Sequence, residues 1–137
     1  MPGGGATQIA QAVALPVLFL AAVWLVFVAA TCALAPERAR SALAAMGSTR
    51  AIQLGEHIPR AIVGIAMALH APLSKYPAPF EFAGWFILAS SIAILLAPMR
   101  WHNAYAVWWA ERIPLAVYRY LCLPTLAMAA LLTYVAW

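Results

Sequence analysis

The sequence predicts an all-α integral membrane protein, a four-helix bundle of two tandem helical hairpins with short interfacial helices on the cytoplasmic side. Three observations predict it. Of 137 residues, 66% are hydrophobic and 9% charged, whereas a typical soluble domain is about 25% charged; a soluble fold of this size could not hide so much apolar surface. The apolar residues gather into four runs near the length of about 20 residues that a helix needs to cross a bilayer. The few charges fall in the gaps between those runs, where topology signals belong. The same composition excludes a soluble enzyme, a disordered chain and a collagen-like repeat. With two Cys it also excludes a disulfide-built mini-protein.

The first span covers about residues 9–35, interrupted mildly by Gln11, Thr31 and Cys32. It is expected to be a retained span and not a signal peptide, despite the Ala33-Leu34-Ala35 cleavage-like triplet. The preceding residues carry no Lys or Arg, and the run exceeds the 7–15 residues of a signal h-region. Gly3-Gly4-Gly5 is expected to be a flexible tail, because no Lys-Ser/Thr follows it to make a phosphate loop. The second span, 59–76, is the weakest: 18 residues give about 27 Å of helix, and Pro72 is expected to end or kink it. The third covers 80–97 and the fourth 114–137.

Arg38, Arg40, Arg50 and Arg60 lie between spans one and two, and Arg100 and Arg112 between spans three and four. The other side has Lys75. Positive charge accumulates in cytoplasmic loops, so both inter-span loops are expected in the cytoplasm and both termini on the outer side. The basic residues form no stripe of the kind that binds nucleic acid.

The two hairpins share punctuation. Span one ends Leu34-Ala35-Pro36-Glu37-Arg38 and span three Leu96-Ala97-Pro98-Met99-Arg100; spans two and four are entered through Glu56-His57-Ile58-Pro59 and Glu111-Arg112-Ile113-Pro114. Proline beyond a helix end stops it, an Arg there favours the helix C-terminus, and proline in a first turn loses no hydrogen bond. Either residues 9–76 and 80–137 are duplicated hairpins, or any hairpin built from Ala and Leu needs such marks.

Trp101, Tyr105, Trp108 and Trp109 recur at helical spacing and predict a short helix over about 100–110 lying in the inner interface, where aromatic rings anchor. The same stripe would also suit a pocket for a lipid, quinone or partner helix. His102 and Asn103 are expected to face water or headgroups. Ala39, Ala42, Leu43 and Met46 suggest a second interfacial helix before the break at Gly47-Ser48-Thr49.

Ionisable residues within a bilayer are functional candidates by default. Glu56, His57 and Arg60 open span two, and Arg119 lies beside Tyr120 in span four. Glu56 and Arg60 have the i, i+4 order that favours an ion pair. Glu56, His57, Arg60, Arg119 and Tyr120 either converge to grip an anionic headgroup or a quinone oxygen, or snorkel separately to the interface. His57 and His70 are spaced for two stacked haems, yet each would need a further axial ligand, so no cofactor is expected. Three scattered His and two single Cys make no metal-ligand spacing, and no metal is expected. The chain contains no Asp, which weakens Mg²⁺-dependent chemistry. No hydrolase or metalloprotease motif is present, so no catalytic residue is assigned. Ala61, Gly64 and Ala68 form a small-residue face suited to close helix packing, within the bundle or between protomers.

This layout resembles small four-helix bacterial inner-membrane proteins of uncharacterised function. Arg60-x-x-x-Gly64, Lys75 and Glu81-x-x-Gly84, within Arg60 to Pro98, are similar to DoxX-like membrane proteins, some of which accompany quinone-linked oxidoreductases. The expectation is a non-catalytic accessory, assembly or interaction subunit of the inner membrane. Its partners would be lipids and either other membrane subunits or further copies of itself. A small oligomeric transporter or channel and a quinone- or haem-linked oxidoreductase subunit are the alternatives.

Overall fold

In the computed structural model, which describes residues 4–137, the chain is helical from end to end, with no strand among the described residues. The order is α1 (Gly4–Leu34), α2 (Pro36–Ala45), α3 (Arg50–His70), a 3-10 turn (Ala71–Leu73), α4 (Pro77–Leu96), α5 (Met99–Arg112), α6 (Leu115–Tyr120) and α7 (Cys122–Ala136). Proline opens most of these segments. Pro36 and Pro77 occupy first turns, and Pro98 and Pro114 are the N-caps of α5 and α6. At such positions the missing N–H has no helical partner to lose.

Three helical stretches are long and apolar enough to cross a membrane: Thr7–Leu34, Pro77–Leu96 and Leu115–Ala136. The expected second span is not among them. Instead of entering at Pro59, α3 starts nine residues earlier, because the Thr49 hydroxyl caps it by accepting the Ile52 amide at 3.2 Å. Pro59 therefore lies inside the helix. The carbonyl it deprives of a partner, four residues back, belongs to exposed Gly55. The 3-10 turn containing Pro72 ends the helix at His70, as expected from that proline. Gly4 and Gly5 belong to α1 and are not a loose tail, while Gly3 lies outside the described residues; a helix once nucleated extends at little cost per residue.

The stretch Leu115–Ala136 is broken once. Leu121 separates α6 from α7, and Pro124 supplies the cause: it has no N–H for the Tyr120 carbonyl and its ring crowds that group.

Helix α1 packs on α7 and α3, α3 packs on α4, and α2 packs on α5. The core intersperses alanines with a few larger side chains: Ala14, Leu18, Ala66, Met67, Ala71, Phe80, Val135 and Ala136. Small residues let helix axes approach closely, and α3 and α4 meet backbone to backbone at Gly64 and Gly84. A Cβ on Gly64 would lie 2.7 Å from the Gly84 carbonyl oxygen, and one on Gly84 would lie 2.7 Å from that of Gly64. The small-residue face of α3, with Ala61 and Ala68 half-buried beside Gly64, thus packs within the chain. Large apolar side chains such as Phe19, Trp24, Phe27, Phe82, Trp85 and Leu131 point outward.

The far end is closed by polar ties. The His70 ring Nε2 bonds the Ala136 carbonyl at 2.9 Å, the Lys75 amide donates to Val135 at 2.9 Å, and Lys75 Nζ donates to the Tyr134 carbonyl at 2.8 Å. These carbonyls belong to the last turn of α7, which has no helical donors for them.

Candidate functional site

At the other end, α2, α5 and the start of α3 form a junction. Helix α5 is two-faced. Trp101, Tyr105, Trp108 and Trp109 are exposed, while Ala106 and Ala110 are buried on the side that packs against α2. The aromatic stripe is continuous: Tyr105 and Trp109 meet edge-on at 6.2 Å, Trp108 and Trp109 at 4.9 Å, and the Arg112 guanidinium sits 4.0 Å above the Trp108 ring. Together with Ala104, three of these aromatics line an open surface depression.

His102 precedes Ala106 and Ala110 by one and two turns and so shares their inward face. Next to it, Asn103 Nδ2 donates to the Ala44 and Met46 carbonyls at 3.1 and 2.8 Å. The expectation that both residues face water or headgroups is overturned. The buried alanines at i+4 and i+8 were the available signal. Asn103 fastens α5 to the end of α2, where helical carbonyls lack donors, and so fixes His102 in place.

Beneath His102 the chain turns at Gly47, whose φ of 66° is the one left-handed conformation in the described backbone. Only glycine takes it without strain. A Cβ there would also lie 2.7 Å from His102 Nδ1. The turn leads through the Thr49 cap into α3, whose second turn carries Glu56 and His57. His57 is 5% exposed. Its ring centroid lies 5.1 Å from that of His102, tilted by 57°, and its Nε2 is 4.0 Å from Glu56 Oε2. Ligand atoms of Glu56, His57 and His102 all fall within 4.8 Å of one another.

No hydrogen bond joins these three side chains to one another. Glu56 Oε2, both ring nitrogens of His57 and Nδ1 of His102 are buried without a partner. Burial pushes the Glu56 carboxyl above the usual range, against the lowering effects of His102 and the Gly47 amide. Burial also holds His57 below the usual histidine range, helped by the positive charges of His102 and Arg60. Both shifts favour neutral forms, as desolvation does. Neutral imidazole is the form that offers a lone pair to a metal.

The other candidates disperse. Arg60 does not pair with Glu56; it crosses to α4 and donates to Ser90 Oγ at 2.9 Å, near the contact of Gln53 Nε2 with the Ile94 carbonyl at 3.0 Å. Arg119 and Tyr120 are exposed and line an open depression with Ala116, Cys122 and Leu123. No hydrogen bond or ion pair joins them to Glu56 or His57. His70 commits its Nε2 to Ala136. Cys32 and Cys122 are free thiols.

Comparison of the chain with protein-family models, curated proteins and solved structures finds no match.

Proposed function

We propose that this chain is a non-catalytic subunit of the bacterial inner membrane, an accessory or assembly protein that works by binding other membrane subunits or further copies of itself. The observation that carries the reading is the mutual contact of Gly64 and Gly84. Backbone fills the space between α3 and α4, so no passage runs between these two helices. Around it, the exposed side chains of the long helices are large and apolar, which suits lipid or a neighbouring helix and not water. In this reading the part of α3 beyond Pro59 is the fourth membrane span, α2, α5 and the first turns of α3 lie in the cytoplasmic interface, and both termini are periplasmic. Support for the orientation comes from the arginines flanking the α2–α5 end and from Lys75 at the other.

A tandem origin belongs to the same proposal. If α1–α2–α3 corresponds to α4–α5 with α6 and α7, then the packing of α1 on α7 has its equivalent in α4 on α3, and α2 on α5 is its own equivalent. The closing experiment is crosslinking in native membranes followed by identification of the adduct, in parallel with solute and ion flux in proteoliposomes. A stoichiometric membrane-protein adduct or homo-oligomer with no flux above empty vesicles is expected. Saturable flux would overturn the reading in favour of a transporter.

A further inference from the structure

We propose that Glu56, His57 and His102 form a binding site for a first-row transition-metal dication of the zinc class, held by one carboxylate oxygen and two imidazole nitrogens. The site lies at the junction of α2, α3 and α5 and does not depend on the subunit reading above.

The argument starts from unsatisfied groups. A buried polar atom without a partner carries an uncompensated desolvation cost, and native proteins leave few of them. Here four such atoms from three side chains are gathered in one place: Glu56 Oε2, His57 Nδ1 and Nε2, and His102 Nδ1. An ordinary polar cluster would spend these atoms on each other, yet the nearest charged contact, His57 Nε2 to Glu56 Oε2, is 4.0 Å, too long for a hydrogen bond. A cation between them would satisfy one atom of each side chain at once.

The donor set selects the metal. Two imidazoles with one carboxylate suit zinc and its first-row neighbours, whereas Ca²⁺ and Mg²⁺ want oxygen ligands; the chain has no Asp at all. Ligands at 2.0–2.2 Å from a tetrahedral zinc stand about 3.4 Å apart. The present spread of up to 4.8 Å closes by side-chain rotation of about an ångström, and three protein ligands leave the fourth position for water or another donor. Arg60 is the nearby charge that opposes a cation, and its guanidinium is directed away to Ser90.

The surroundings hold the ligands in place. Asn103 locks the α5 turn that carries His102, and Gly47 leaves room for the ring where any side chain would strike Nδ1. Such outer groups typically change metal affinity by roughly 10–100-fold when lost.

The test uses the full chain in detergent micelles, purified without a polyhistidine tag and stripped with a chelator. Zn²⁺ uptake is followed by calorimetry and Co²⁺ uptake by visible absorption. One equivalent per chain is expected, with ligand-field bands of a tetrahedral Co²⁺ site. His57→Ala, His102→Ala and Glu56→Gln should each weaken binding by about tenfold or more, and His70→Ala, at the far end, should not. His57 is buried and its variant can fail to fold. His102 is half-exposed, so a His102→Ala protein with unaltered helicity and elution decides the matter. Unchanged affinity in that variant, or no saturable uptake by the parent chain, overturns the proposal.

Discussion

Gly64 and Gly84 touch backbone to backbone, each placed so that a Cβ on one would collide with the other's carbonyl oxygen at 2.7 Å. Neither obstacle is the far end of a flexible side chain. Gly64→Ala or Gly84→Ala must therefore push α3 and α4 apart, and overpacking of this kind costs typically about 1–3 kcal/mol. Gly55, on the same helix as Gly64, has open space where a Cβ would stand, with nothing within 4 Å. Gly55→Ala should be neutral or stabilise by roughly 0.5–1 kcal/mol, because alanine is the better helix former. Thermal unfolding in detergent separates the two; equal effects at positions 55 and 64 would refute the close contact.

Asn103 is the polar clasp between α2 and α5. Asn103→Ala leaves the Ala44 and Met46 carbonyls without their side-chain donor. The expected loss is about 1–3 kcal/mol, with faster hydrogen exchange concentrated in α5 and the end of α2. Uniformly faster exchange along the chain would contradict a local clasp.

How much of this was legible in the sequence depends on the kind of signal. Helix ends marked by proline were readable at Pro36, Pro98 and Pro114, which act through the covalent loss of an N–H. The start of α3 was not, because the Thr49 cap competes with Pro59 for the boundary, and a capped helix tolerates one interior proline when the freed carbonyl, at Gly55, is exposed. The aromatic stripe of α5 was readable as periodicity. Its opposite face was missed because His102 and Asn103 are polar, and polarity alone pointed them outward. Glu56 and His57 were singled out by position, but the third member of their group comes from another helix. No spacing rule within a single segment could supply it. Arg60 shows the converse: the i, i+4 rule offered Glu56, and a hydroxyl on α4 won.

His70 ties the last turn of α7 to the end of α3. His70→Phe keeps a ring of similar size but removes the nitrogen that meets the Ala136 carbonyl. The C-terminal turn should fray, seen as faster hydrogen exchange after Leu132 and quicker trimming by carboxypeptidase, with a stability loss of about 1–3 kcal/mol. The junction at the other end should be unaffected. Unchanged trimming would mean that Lys75, through its bonds to Tyr134 and Val135, holds the turn alone.

Glu56 and His57 make opposite contributions to the pH dependence of stability in the metal-free chain. His57 is held below its ordinary value near 6.5 by burial, and by the positive charges of His102 and Arg60. As pH falls through that value, the unfolded chain takes up a proton that the folded chain refuses, so stability is lost on acidification. Glu56 is raised above its ordinary value near 4.5 by burial, although His102 and the Gly47 amide pull it down. Between that value and its raised folded one, the folded chain keeps a proton that the unfolded chain has released, so acidification through this window adds stability. The two partly cancel in the parent chain between about pH 6.5 and 4.5. Glu56→Gln removes the compensating gain, so its melting temperature should fall more steeply with acid than that of the parent. His57→Gln removes the loss and should flatten or reverse the slope. Melting curves in detergent with excess chelator, taken across this range, measure both; parallel profiles for the parent and Glu56→Gln would show that the Glu56 carboxyl is not raised by burial in the folded chain.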